Sequence, residues 1–169
     1  MSAYIPFSSL RADSRAPDSS FSFGTAETRT WRDFIAHVES FRLLVRSSPN
    51  ERWVLNCDDL FLFCCALAAI LQEGKEAMPC ANTAPSFLGE IMQAGTGLLC
   101  QQDIPGALRL RYLPDDSAAL REVPSAFAPI DPASARVTLY TSGSTGKPKA
   151  FPKRLAELVE SYWQRSLEL

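Results

Sequence analysis

The chain has 169 residues, of which 46% are hydrophobic and 21% are charged, and its formal net charge is −2. This length suits one domain with its own core, and the composition is that of an ordinary globular protein. The 17 basic and 19 acidic residues nearly balance, so charge gives no reason to expect nucleic acid or an anionic membrane as a partner. The longest apolar run, residues 60–71, is too short to span a bilayer.

The cysteines and the single histidine argue against metal binding and thiol catalysis. No CxxC pair occurs, and one histidine, His37, does not make a zinc constellation. An odd number of thiols in apolar surroundings is typical of reduced, buried cysteines, and no secretory signal is evident, so we expect a cytoplasmic protein. His37 is flanked by Ala36 and Val38, and nothing in the sequence ties it to a cysteine as a catalytic base. The cysteines are Cys57, Cys64, Cys65, Cys80 and Cys100.

The N-terminal part divides into a lead-in and the start of a folded unit. Residues 1–22 are rich in Ser, Pro, Asp and Arg, which predicts an extended or loosely docked segment. Residues 23–169 are expected to form one α/β subdomain. Its first helix is predicted from the apolar spacing between Trp31 and Val45, with Thr30 and Asp33 as its capping start.

Short apolar strands then alternate with helices. Strands are predicted at 52–57, 76–81 and 96–102, and helices at 60–73, capped by Asp58 or Asp59, and at 84–95. This alternation predicts βαβ units, hence an α/β fold with a mostly parallel sheet flanked by helices. We expect the helix-borne aromatic residues to belong to the core or a covered interface, not to a ligand pocket. They are Trp31, Phe61, Phe63 and Trp163.

A proline-rich connection, residues 103–136, separates this unit from the C-terminal elements. Residues 108–113 alternate in polarity and are expected to form a strand. The acidic pair Asp115–Asp116 is expected to be a solvated turn, not a magnesium site. A strand is then predicted at 136–141, followed by a glycine loop and an amphipathic helix over 153–169.

The loop in "VTLYTSGSTGKPKA" has the parts of a phosphate-binding loop. Glycines let several backbone N–H groups face one anion, hydroxyls add neutral donors, and a helix start and a lysine add positive charge. It is not a Walker A loop, because Thr141 stands where the first glycine is needed and Pro148 follows Lys147. The dinucleotide fingerprint GxGxxG fails as well.

The same stretch resembles the first nucleotide motif of adenylate-forming enzymes, (Tyr)-Thr-Ser-Gly-(Ser/Thr)-Thr-Gly-x-Pro-Lys. A looser similarity in pattern covers Phe21 to Leu169. The chain departs from the family at Ala150–Phe151, where Gly-Val is frequent, and has no histidine shortly afterwards. The motif positions are filled without a gap by Tyr140, Thr141, Ser142, Gly143, Ser144, Thr145, Gly146, Pro148 and Lys149.

The resemblance implies the large N-terminal domain of a ligase that uses ATP and Mg²⁺. Such an enzyme joins a carboxylic acid to AMP and passes the acyl group to the thiol of CoA or an acyl carrier protein. By this resemblance Lys149 is the catalytic residue, adding positive charge near the leaving pyrophosphate, and Thr141 meets Mg²⁺ through the ATP phosphates. Lys147 and Lys153 are expected to be solvated. The phosphate-binding residues would be Thr141, Ser142, Gly143, Ser144, Thr145, Gly146 and Lys149.

The family's later motifs, a Thr-Glu pair, a ribose-binding Asp and a C-terminal lysine, do not occur in this sequence. We therefore expect an N-terminal fragment of an acid–thiol ligase, inactive alone. Two alternatives remain: a non-catalytic nucleotide-binding or interaction domain derived from such an enzyme, and a folding unit without a ligand. A sheet interrupted in mid-domain would leave unpaired edges, so self-association of the fragment is also expected.

Overall fold

The computed structural model describes residues 7–21, 28–114, 127, 129–142 and 147–158. Helices and strands alternate as the sequence predicts, and a hairpin follows them. After a short 3₁₀ turn at Phe7–Ser9, the order is α1 (Trp31–Ser47), β1 (Arg52–Asn56), α2 (Leu60–Gln72), β2 (Glu76–Pro79), α3 (Pro85–Ile91), β3 (Thr96–Cys100), β4 (Leu108–Arg109), β5 (Arg136–Ser142) and β6 (Pro148–Arg154).

The six strands form one sheet in the order β4-β3-β1-β2-β5-β6. Strand β1 lies between β2 and β3 and is parallel to both, and β4 and β5 extend the parallel arrangement on either side. Only β6 runs antiparallel, as the partner of β5. The sheet is therefore mostly parallel and flanked by helices, which confirms the predicted α/β class.

Both long helices begin where the sequence predicts, because local side chains satisfy their first N–H groups. Thr30 and Asp33 form a reciprocal capping box at the start of α1. The carboxylate of Asp59 accepts from the N–H of Leu62 at the start of α2. Both helices pack on the same face of the sheet, and their buried side chains belong to the main core.

The two faces of the sheet are covered unequally. Side chains alternate between the faces, so Trp53 and Leu55 of β1 point to the α1–α2 side while Val54 points to the α3 side. The α1–α2 side holds the main core, including the aromatic cluster around Phe34. The α3 side holds a much smaller cluster: Val54, Met78, Ile91, Leu98 and Cys100.

Two of the four aromatic positions expected in the core or a covered interface, Trp31 and Phe61, are buried there. Phe63 is half-buried against the main core and also lines a cavity at the carboxyl edge of the sheet, so it is not a core residue alone. Trp163 and the pair Asp115–Asp116 lie outside the described residues.

The lead-in packs on α1. The indole Nε1–H of Trp31 donates to the carbonyl of Ala12 at 2.8 Å, and Leu10 is buried in the main core. An isolated antiparallel bridge joins Ser20 to Thr30. The division of the chain at residue 22 stays a prediction, since residues 22–27 are not described.

The strands predicted at 52–57, 76–81 and 96–102 end one or two residues early, and two further elements are several residues shorter than predicted. The strand expected at 108–113 keeps only Leu108–Arg109 in the sheet, because the chain then turns toward α1 and the N–H of Leu113 donates to the ring of His37. The helix expected at 84–95 ends at Ile91, before the turn at Gly95, whose φ is +76°. In the described part of the chain, no helix has the length and apolar character needed to cross a membrane.

Candidate functional site

The glycine loop connects two antiparallel strands, which corrects the prediction that it joins a strand to a helix. Residues 148–154, "PKAFPKR", pair with all of β5, from Ser142 opposite Pro148 to Arg136 opposite Arg154. A proline disfavours the helical conformation of the residue before it, so Pro148 and Pro152 drive residues 147 and 151 toward extended backbone. The helical segment begins only at residue 155 and is described to residue 158.

This hairpin changes the electrostatics expected at the loop. A helix N-terminus directly after the loop would have offered a partial positive charge to an anion. A strand has almost no net dipole. Among the described residues next to the loop, positive charge is supplied by the exposed side chains of Lys147 and Lys149.

Thr141 and Lys149 lie directly opposite each other at the loop end of the hairpin, and both side chains are exposed. Residues opposite in an antiparallel pair project from the same face of the sheet. A threonine hydroxyl and a lysine ammonium thus stand side by side next to the loop. Lys149 also lies over the ring of Phe151, with its Nζ 5.3 Å from the ring centroid, within the range of a cation–π contact.

Of the other predicted phosphate-binding residues, Ser142 is the last residue of β5, next to Thr141. Gly143, Ser144, Thr145 and Gly146 lie outside the described residues, so their part in the site stays a prediction. Lys147 and Lys153 are exposed. Lys153 forms an ion pair with Glu157 at 3.4 Å.

The loop lies at the edge of the sheet where the parallel strands end. Strands β1, β2, β3 and β5 all run in the same direction, so Asn56, Pro79, Cys100 and Ser142 mark their common carboxyl edge. In open α/β sheets, ligands bind in the crevice outside this edge.

A cavity that was not predicted from the sequence lies at the same edge. It measures about 260 Å³ and lies beyond the ends of β1 and β2, with Asn56, Cys57, Asp58, Phe63 and Cys80 among its lining residues. In the sequence, each of these two strands is short and apolar and is followed at once by a polar or thiol side chain. The backbone N–H groups that follow β1 have a hydrogen-bond partner within the fold. The N–H groups of Asp58 and Asp59 both donate to Gln101.

The thiols at this edge are neutral at physiological pH. Burial raises the pKa of Cys57 to about 12 and also raises the pKa of Cys80 and Cys100 above the usual value. Each thiol donates to a backbone carbonyl two residues further on. Because the thiolate is the nucleophile, these cysteines are structural. All five cysteines are free.

The geometry supports the prediction that His37 is not a catalytic base. Its ring is buried on α1, with Nδ1 2.6 Å from the carbonyl of Asp33 and Nε2 accepting from the N–H of Leu113 at 2.9 Å. A carbonyl accepts and an N–H donates, so the ring is neutral with its proton on Nδ1. Burial lowers the pKa of His37, which favours the same form.

Metal ligands are scarce in the described residues, which contain no group of three or more His, Cys, Asp or Glu side chains suited to a metal ion. Mg²⁺ usually keeps several waters and takes one or two protein oxygens plus substrate phosphates. The Thr141 hydroxyl, exposed beside the loop, is one such oxygen. These residues fit an ion brought by a nucleotide better than a resident one.

No protein-family model matches the chain, and no curated protein matches its sequence. Solved structures do match it. O-succinylbenzoate coenzyme A synthetase (MenE) from Bacillus subtilis, in complex with AMP, has a TM-score of 0.65 at 18% identity, over 94% of this chain and 44% of that one. The N-terminal subdomain of Klebsiella oxytoca NpsA, in complex with 3-hydroxyanthranilyl-AMSN, has a TM-score of 0.61 at 17% identity, over 85% and 38%.

McyG A-PCP, complexed with phenylalanyl-adenylate, has a TM-score of 0.54 at 20% identity, over 80% of this chain and 29% of that one. The chain thus spans less than half the length of each of these three proteins. Identities this low support a statement about the fold. The chain has the fold of the N-terminal part of the adenylate-forming enzymes, which confirms at the level of the fold the resemblance carried by its glycine motif.

Proposed function

We propose that this chain supplies the polyphosphate-binding part of an ATP-dependent ligase that activates a carboxylic acid as its acyl-adenylate. One observation carries the proposal. The described ends of the motif, Tyr140–Ser142 and Pro148–Lys149, are paired strand ends at the carboxyl edge of the parallel strands. The fold that holds them is shared with a protein solved in complex with AMP and with an acyl-adenylate.

In the proposed reaction, a carboxylate oxygen forms a bond to the α-phosphorus of ATP. The bond from that phosphorus to the bridging oxygen breaks, and pyrophosphate leaves with the electron pair. Charge therefore grows on the β- and γ-phosphates as the bond breaks. Fixed donors and cations that meet this charge lower the barrier.

Residues at the hairpin tip suit that task. Lys149 would place its ammonium beside the departing pyrophosphate, and Thr141, directly opposite, would donate its hydroxyl to a phosphate oxygen. Ser142, Ser144, Thr145 and the N–H groups of Gly143 and Gly146 would complete the cradle. Bound Mg²⁺ would supply further charge neutralisation, with Thr141 as its protein oxygen. The acyl group would then pass to the thiol of CoA or of a carrier protein.

The decisive test is carboxylate-dependent exchange of pyrophosphate into ATP by the intact gene product. Lys149→Ala should slow exchange by about 100-fold or more, as expected for loss of one preorganised charge on a developing anion. Lys153→Ala is the matched control, because Lys153 is an exposed lysine of the same strand at the far end of the hairpin. Its exchange rate should change by less than about twofold.

Two results would count against the proposal. One is the absence of exchange with a broad panel of fatty and aryl acids, and the other is an equal loss of activity in both lysine variants. Calorimetry on the 169-residue chain distinguishes the proposed ligase fragment from the alternative, a non-catalytic nucleotide-binding domain. We expect weak binding of Mg-ATP, and a micromolar or tighter dissociation constant would favour that alternative.

A further inference from the structure

A row of charged residues crosses the sheet at the end of the hairpin opposite the glycine loop. Arg52 pairs with Glu76 across β1 and β2, and Arg136 pairs with Arg154 across β5 and β6. Since Ala77 pairs with Val137, the preceding residues, Glu76 and Arg136, are also neighbours. The row therefore contains three arginines and one glutamate on one face of the sheet.

The single glutamate of the row is already engaged. Its carboxylate lies 3.5 Å from Nε of Arg52 and accepts from the buried hydroxyl of Thr138. Arg136 and Arg154 are both exposed, and no described residue forms an ion pair or side-chain hydrogen bond with either. Like charges placed directly opposite in an antiparallel pair destabilise the sheet. Within the described residues, these two cross-strand guanidinium groups therefore have no ion-pair partner of their own.

These two arginines line a surface groove of about 390 Å³. Lys153 also lines it, and so do the carboxylates of Glu76 and Glu157. Lys153 is neutralised by its ion pair with Glu157 at 3.4 Å. The charge left over in the groove is that of Arg136 and Arg154.

We propose that Arg136 and Arg154 form a binding site for a compact oxyanion, a phosphate or carboxylate group, in this groove. Guanidinium forks bind both groups with paired, charge-assisted hydrogen bonds. The two guanidinium groups that remain unpaired within the described chain match the charge of one oxyanion group and not that of an extended polyphosphate. The site binds its ligand apart from the glycine loop. Five residues of strand, or roughly 17 Å, separate Arg136 from Thr141, and the proposal does not depend on the proposed ligase activity.

The test is a titration of the ¹⁵N-labelled 169-residue chain with inorganic phosphate, and separately with acetate, at low ionic strength. We expect saturable shifts of the backbone N–H signals of Arg136, Thr138 and Arg154. Arg136→Gln and Arg154→Gln should each weaken binding about tenfold or more. Lys153→Gln, the matched control, should weaken it less than about threefold. The probe that binds more tightly identifies the preferred oxyanion.

Thermal unfolding gives a second, independent readout. Without an anion, Arg154→Gln should be at least as stable as the wild type, because it removes like-charge repulsion. Phosphate should raise the unfolding temperature of the wild type, and that of Arg154→Gln clearly less at the same phosphate concentration. The proposal fails if phosphate causes no saturable shift, if the shifts occur only around Lys149, or if the arginine variants bind as well as the wild type. Persistence of the groove shifts in Lys149→Ala would separate this site from the loop.

Discussion

The α1–α2 side of the sheet and the β5–β6 hairpin are parts of one sheet, yet they are packed very differently. On the first side, Trp31, Phe34 and Val38 are 0% exposed. In the hairpin, the cross-strand partners Leu139 and Phe151 are each 37% exposed. The first region is stabilised by burial and the second mainly by its strand pairing. Substitutions on the helical side should therefore change stability, and those at the hairpin tip should change chemistry.

The largest expected effect tests the helical side. Phe34→Ala removes a fully buried ring that packs on Trp31 and Phe61, and should lower the free energy of unfolding by about 3–5 kcal/mol. Phe151→Ala is the matched control and should cost less than about 1 kcal/mol. Urea denaturation followed by circular dichroism measures both. An equal loss of unfolding free energy in the two variants would contradict the expected difference in packing between the two regions.

The next effect concerns the end of α1. The ammonium of Lys75 donates to three backbone carbonyls, those of Val45, Ser48 and Asn50, at 3.0, 2.9 and 2.7 Å. Lys75→Met removes the ammonium from these three carbonyls and should lower the free energy of unfolding by about 1–3 kcal/mol in urea denaturation. Lys147→Met replaces an exposed lysine of the hairpin and should change stability by less than about 0.5 kcal/mol. If Lys75→Met leaves the free energy of unfolding unchanged, water replaces the ammonium as the donor to these carbonyls.

Below pH 6.5, a pH effect on stability is expected from the helical side, where His37 is buried. Burial lowers the pKa of His37 below 6.5 in the folded chain, so below pH 6.5 the unfolded chain binds more protons. Stability is then fully present above pH 6.5 and falls as the pH drops toward the folded pKa. A protonated Nε2–H would face the N–H of Leu113. The charged groups near the ring are Asp33, Asp59 and Arg29.

Urea midpoints at pH 7.5, 6.0 and 5.0 check this expectation. The wild type should lose stability across this range, and His37→Gln should lose less, because glutamine does not titrate and its carbonyl can accept from Leu113. The pKa of Glu73 is lowered, chiefly by the hydrogen bond from Arg46, so its contribution is lost only at more acidic pH. Parallel pH profiles of the two proteins would contradict a role for His37.

The smallest effect sharpens the role of the hairpin. Phe151→Ala removes the ring beneath the Lys149 ammonium, and should slow pyrophosphate exchange by the intact gene product about 2–5-fold. Phe151→Tyr keeps an aromatic face and should retain the rate. A loss as large as that of Lys149→Ala would mean that Phe151 does more than position the lysine.

Local chemistry made much of the fold predictable. Capping by Thr30, Asp33 and Asp59, together with short apolar strands, was enough to place both long helices and three parallel strands. The length of β4 was not predictable, because the bond between His37 and Leu113 spans 76 residues and no local pattern signals it.

The candidate site shows the same limit. The motif placed Thr141 and Lys149 near the loop, but their side-by-side geometry follows from the register of the hairpin, which the sequence analysis did not predict. The helical spacing of apolar residues from residue 155 onward predicts a helix and carries no information about the strand before it. Pro148 and Pro152 do indicate that strand, since each favours extended backbone at the preceding residue.

The same prolines also limit further strand pairing at β6, an edge strand of the described sheet. Pro148 and Pro152 are four residues apart in a regular strand, so their backbone nitrogens face the same way, and a proline is tolerated where that nitrogen faces outward. Along this outward side, β6 lacks the backbone N–H donor at Pro148 and at Pro152. The opposite border, β4, is only two residues long. Another chain would find few partners for a continuous ladder at either border, so the described sheet is a poor template for fibrils.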